Sequence, residues 1–167
     1  MRPLNANEIQ CRVKIIKQNG CSLLLYKDAR CDMKILDETY GPMGWKKEYE
    51  VINGNLFCTV SVWDNEKSQW VSKQDVGVES YTEKEKGQAS DSFKRACFNF
   101  GIGRELYSSP FIWIKLNPDE VYNKDGKYAL KAGVKFAVYH IKVEDGEIIE
   151  LGIEDNKGAK RFRWSKN

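Results

Sequence analysis

The chain has 167 residues, of which 41% are hydrophobic, 12% aromatic and 31% charged, and its net charge is +3. That length and apolar content predict one folded domain with a real core, and no apolar run approaches the length that spans a bilayer. Five cysteines without a C-x-x-C pair, and a single histidine, argue against a zinc site or a disulfide framework; with no signal-peptide segment in MRPLNANEIQ, a reducing cytoplasm is the expected compartment.

Asn5 or Asn7 caps a short helix through about Lys17, with Ile9, Val13 and Ile16 on one face, and Asn19-Gly20 ends it. The apolar run CSLLLY at residues 21–26 reads as a strand entering a turn. Asp28 caps a helix through Tyr40, with Ala29, Met33, Leu36 and Tyr40 on one side, and Gly41-Pro42 stops it. From Trp45 the hydrophobic period changes to two, and Asn53-Gly54 is a strong hairpin turn. Leu56, Cys58, Val60 and Val62 alternate along the next strand, and a second hairpin around residues 64–68 leads into a third strand. The best-patterned helix follows: Ala89, Phe93, Ala96, Cys97 and Phe100 recur at steps of three and four, and this stripe must cover one face of the sheet. Gly101 and Gly103 end it.

Beyond Pro110, FIWIKL is extended and Asn117-Pro118-Asp119 turns. Residues 123–132 are polar and read as a mobile loop. Alternating runs at 135–143 and 147–153, joined by Glu144-Asp145-Gly146, predict a C-terminal β-hairpin. The tail GAKRFRWSKN gathers Lys160, Arg161, Arg163 and Lys166 around Phe162 and Trp164.

No phosphate-binding loop is present, since Gly101-Ile102-Gly103 follows a helix where a phosphate cradle precedes one; ATP-driven chemistry is disfavoured. His140 reads as an ordinary strand residue. Asp75, Glu79, Glu83 and Glu85 raise the alternative of a Mg²⁺-dependent nuclease, but the Glu-x-Lys expected of a sheet-based nuclease is missing, and Glu83 and Glu85 fit the first turn of a helix. No catalytic or metal-binding residue is assigned. Lys94 and Arg95 project away from the apolar stripe, and Lys84 and Lys86 extend that basic face. Such a face is by default a solvated surface, but aromatic and basic residues interleave in the tail and near Tyr26, as phosphate neutralisation and base stacking require.

The run KGQASDSFKRACFNFGIG at residues 86–103, with DVG before it and LYSSP after it, resembles the signature of the Sak group of phage single-strand annealing proteins, in the Rad-fifty-two superfamily. YKDARCDMKILDETYGPMGW at residues 26–45 resembles that family's first helix and the Gly-x-x-Gly-Trp after it, so the likeness covers roughly residues 26–110. It implies a groove in which Lys94 and Arg95 hold the single-strand backbone, a DNA-binding role for Tyr26, and a further contact at Arg104 in GIGREL, which follows the phage-type pattern. Phe98 stands where cellular members carry a further basic residue.

The expected fold is therefore α+β: an antiparallel sheet of hairpins with a main helix packed across it, a Rad-fifty-two-like βββα core, plus the C-terminal β-hairpin. One domain spans 1–167, with an annealing core at about 21–110 and a strand extension at 111–167. The expected function is ATP-independent annealing of complementary single strands in phage-type homologous recombination and DNA repair, with no enzymatic activity and no cofactor. Expected partners are single-stranded DNA and further copies of the chain in a ring or filament, with a phage exonuclease or host single-strand-binding protein besides and no membrane. If phage-encoded, the chain works in the cytoplasm of a bacterial host. The alternatives are a passive single-strand-binding accessory protein and a metal-dependent nuclease.

Overall fold

The computed structural model describes residues 1–78 and 84–166, with side chains from residue 87 onward in the second stretch. In chain order its elements are β1 (Gln10–Lys17), β2 (Gly20–Tyr26), α1 (Ala29–Tyr40), β3 (Trp45–Ile52), β4 (Asn55–Asp64), β5 (Gln69–Val76), α2 (Lys84–Asn99), β6 (Ile112–Lys115), β7 (Val121–Lys124), β8 (Lys127–Leu130), β9 (Phe136–Glu144), β10 (Glu147–Asp155) and β11 (Lys160–Ser165). The architecture is α+β, with antiparallel strand pairing throughout the described residues. Contacts divide the chain into two units, Met1–Arg2 with Asp28–Gly103 and Pro3–Lys27 with Arg104–Asn167.

In the first unit α1 begins where the Asp28 carboxylate accepts hydrogen bonds from the N–H groups of Arg30 (2.9 Å) and Cys31 (3.0 Å), and it ends at Gly41, whose φ of 76° is left-handed. Burial pushes the Asp28 carboxyl up, but those hydrogen bonds and the Arg30 guanidinium outweigh it and hold the group below its ordinary value. Cys31, Asp32, Ile35 and Leu36 are the buried residues of α1, while Ala29, Met33 and Tyr40 are only half-buried. The inward face is thus rotated from the one the apolar spacing predicts.

The sheet β3-β4-β5 turns at Asn53 (φ 51°) and Gly54 (φ 78°), both left-handed, as a two-residue hairpin requires. Its register pairs Trp45 with Val62, Lys47 with Val60 and Tyr49 with Cys58, then Cys58 with Asp75 and Val60 with Lys73, so these residues share one face. Helix α2 packs on that face through Phe93, Ala96 and Cys97, which are buried, and the Phe93 ring lies 6.0 Å from that of Trp45. Gly77 passes against the helix so closely that a Cβ there would run into the Gln88 carbonyl oxygen and lie 2.8 Å from the Ser92 nitrogen.

The second unit holds a six-stranded sheet in the order β11-β10-β9-β1-β2-β6 and the small hairpin β7-β8. Residues 10–17 are a strand, not the helix predicted; only Ala6–Glu8 form a short 3-10 turn, with Asn5 N–H donating to Glu8 Oε2 at 2.9 Å. A β-bulge between Val13 and Ile15 explains the misreading, because it brings Val13 opposite Leu23 and Ile16 opposite Cys21, on the same face. Two apolar residues three apart then imitate a helical stripe. The stretch expected as a mobile loop is the hairpin β7-β8, which turns at Asp125 (φ 52°) and Gly126 (φ 82°). The hairpin is mostly solvent-exposed, so no apolar alternation announces it.

Strands β9 and β10 pair across Asp145 (φ 50°) and Gly146 (φ 78°), and the basic tail adds β11 to the outer edge of β10. The core of this unit is formed by Cys21, Leu23, Ile112, Ile114, Val138, Ile148, Leu151 and Ile153. The N-terminus is tied in by Leu4 N–H, which donates to the buried Glu105 carboxylate at 2.6 Å.

Candidate nucleic-acid interface

Because Phe93, Ala96 and Cys97 face the sheet, the consecutive Lys94 and Arg95 lie toward the outer side of α2, Lys94 half-buried and Arg95 exposed. Arg95 Nε donates to Asp75 Oδ1 at 3.1 Å, and Asn99 Nδ2 donates to Asp75 Oδ2 at 3.2 Å. Lys73 sits beside them, its Nζ donating to the Asn99 carbonyl at 2.6 Å and lying 5.1 Å from the centre of the Phe100 ring. Among the described residues no carboxylate pairs with Lys94. The pair is therefore unequal: Lys94 offers a full charge, whereas Arg95 already shares its charge with Asp75. Phe98 is half-buried.

Lys84 and Lys86 belong to the first turn of α2, and their side chains lie outside the described residues, as do Glu83 and the side chain of Glu85. Glu79 is also outside them. Among the described residues no three His, Cys, Asp or Glu side chains come together to hold a metal ion, and no helix is long and apolar enough to cross a membrane.

Tyr26 and Arg104 belong to the second unit, so the site residues taken from the sequence are split between the two units. Tyr26 ends β2 with 38% of its surface exposed, and Arg104 is exposed at the start of the 3-10 helix Arg104–Ser108.

The basic tail is not the open patch that its composition suggests. Arg161 Nη1 donates to Glu120 Oε1 at 2.6 Å and to Asp155 Oδ2 at 2.9 Å, while Nη2 donates to Glu120 Oε2 at 2.8 Å and to the Lys115 carbonyl at 2.7 Å. All three charged side chains are 13% exposed or less. The hydrogen bonds from Arg161 hold the Glu120 and Asp155 carboxyls below their ordinary values and raise the guanidinium in turn. Lys160 pairs with Glu154 and Lys166 with Glu147. Three of the four tail cations are thus committed to carboxylates.

Charge is unevenly divided. The second unit carries sixteen Lys and Arg against eleven Asp and Glu, a net +5, and the first carries eleven against thirteen, a net −2. With the tail largely neutralised, the surplus rests on other elements. Arg12, Lys14 and Lys17 are exposed on β1, and Lys131 and Lys135 are exposed after β8. None of these five has a carboxylate partner among the described residues. The helix expected through Lys17 hides the three on β1; as a strand, Arg12 alternates with the apolar Cys11 and Val13 ahead of the bulge.

Strand β1 meets β9 through the single pair Gln10↔Ala137. A cleft of about 460 Å³ lies around that bridge, with Tyr26, Leu130, Val134, Lys135 and Phe136 among its lining residues.

The chain is similar to the single-stranded DNA-binding protein DdrA of Deinococcus deserti, 36% identical over 106 residues, which is 62% of this chain and 51% of that protein. It is likewise similar to the protein of the same name from Deinococcus radiodurans, 37% identical over 93 residues, or 54% and 43% of the two chains. It spans about half the length of these curated relatives or somewhat less. No family model matches the chain, and no solved structure matches it.

Proposed function

We propose that this protein binds single-stranded DNA and anneals complementary strands without ATP or metal, as one subunit of a ring or filament. The observation that carries the binding half is the similarity to two proteins named for single-stranded DNA binding. Its physical counterpart is a set of cations that have no carboxylate partner among the described residues, exposed on β1 and after β8 and half-buried at Lys94 on α2, which are available to phosphates. Binding of this kind has little sequence preference and a steep salt dependence.

The annealing half rests on the resemblance of residues 26–45 and 86–103 to the Sak group. In that reading β3-β4-β5 with α2 forms the Rad-fifty-two-like core, and Lys94, Arg95, Lys84 and Lys86 hold one backbone while the base edges stay open to an incoming strand. Tyr26 and Arg104 complete the contact set, the chain serves phage-type recombination beside an exonuclease or a host single-strand-binding protein, and no catalytic residue is needed. A passive coat is the second reading, favoured by the names of the relatives, which speak of binding alone.

The test is stopped-flow fluorescence of two labelled complementary oligonucleotides in EDTA without nucleotide. The annealing reading expects duplex formation to accelerate at substoichiometric to saturating protein. No acceleration at any protein-to-nucleotide ratio leaves the passive coat, and shortening of the strands when Mg²⁺ is added would point to the nuclease.

A further inference from the structure

The cleft beside the Gln10↔Ala137 bridge has a composition that the basic face of α2 lacks. Its lining residues include the aromatic Tyr26 and Phe136 and the aliphatic Leu130, Val134 and Val13. Among the described residues Lys135 is the one charged residue in the wall, and no carboxylate lines it. At about 460 Å³ it falls within the size range of sites that enclose small organic groups, roughly 300–1,000 Å³. Arg12 lies two residues along β1 from Gln10, on the same sheet face as Gln10 and its register partner Tyr26, and Lys131 precedes Lys135 by one turn of the chain.

An apolar small molecule would need no cations around it, and a docked peptide strand would need no aromatic pair. A flat ring carried on a polyanion uses both features: stacking is satisfied by Tyr26 and Phe136, and phosphates by Arg12, Lys131 and Lys135. The Gln10 amide in the wall can donate and accept, so it can meet the polar edge of any base.

We infer that the cleft between β1 and β9 receives one unpaired nucleobase of a bound single strand, whose flanking phosphates lie on Arg12, Lys131 and Lys135. This rests on the proposed single-strand binding and places a base-holding contact in the second unit. Holding one base by its faces without reading its sequence anchors the strand and leaves its other bases exposed.

The test compares oligothymidine with an abasic strand of the same length, which keeps every phosphate and removes every base, by fluorescence anisotropy. The wild-type protein is expected to bind oligothymidine about tenfold more tightly, the size of a single base stack. Leu130→Trp fills the cleft and is expected to abolish that preference while leaving abasic affinity unchanged; Val134→Trp fills it from a surface turn and should do the same if Leu130→Trp misfolds by circular dichroism. Lys135→Glu is expected to weaken both strands and to flatten the salt dependence by about one phosphate contact. A preference that survives both tryptophan variants, or is absent in the wild type, overturns the pocket and leaves strand binding intact. A wild-type protein that binds neither strand overturns the proposed function itself.

Discussion

Asp75 sets how much charge the outer face of α2 can offer a DNA backbone. Its carboxylate accepts from Arg95 Nε at 3.1 Å, with 21% of the Asp75 side chain and 48% of the Arg95 side chain exposed, so the pair contributes little to folding, about 0–1 kcal/mol. Its larger effect is to neutralise part of one cation, while among the described residues no carboxylate pairs with Lys94 beside it. Single strands lose affinity with a log–log salt slope of about −0.7 per neutralised phosphate, so Lys94→Ala should make the slope shallower by about 0.7. Between about 50 and 200 mM salt, the affinity gap between wild type and variant should then narrow about 2.6-fold. Asp75→Asn keeps an oxygen acceptor in place but removes the negative charge; affinity should rise and the slope should steepen by up to about 0.7. The assay is anisotropy of a labelled oligothymidine over a salt titration. Two variants with the wild-type slope would take α2 out of the interface and leave the cations of the second unit to account for binding.

Arg161→Ala leaves Glu120 and Asp155 facing each other with about a tenth of their surface in water, and should cost about 3 kcal/mol in urea unfolding, the lower end for a broken buried pair. Both carboxyls are held below their ordinary values in the folded protein, so their stabilisation is complete above the unfolded range near pH 4 and is lost as pH falls through the depressed native values. The stability gap between wild type and Arg161→Ala should accordingly close in acid, and a gap independent of pH would refute the pairing. Gly77→Ala puts a methyl group into the backbone of α2 at Gln88 and should destabilise the first unit by about 1–3 kcal/mol, measured by chemical denaturation; wild-type stability would mean that the approach of strand to helix is not tight.

Local chemistry was enough for several features closed within a few residues, though not for the hairpin at Asp125-Gly126. Asp28 bonds to Arg30 and Cys31, Asn53-Gly54 turns on two left-handed residues, and the Phe93, Ala96, Cys97 stripe repeats within two turns of helix, so each is written in adjacent letters. The sequence also showed that Lys94 and Arg95 point away from the stripe. It could not show that Asp75, twenty residues earlier, holds Arg95, nor that Glu120, 41 residues before it, holds Arg161 and removes the richest basic segment from the list of phosphate contacts. The strand β1 was misread because its bulge is visible only against the register of β2. That strand in turn joins β9, more than a hundred residues away, and only this pairing forms the cleft and gathers a net +5 in one unit. Ion pairs and strand ladders are made between groups distant in the chain, and their energies depend on distance in space, so which cations remain free for a ligand is decided by tertiary structure alone.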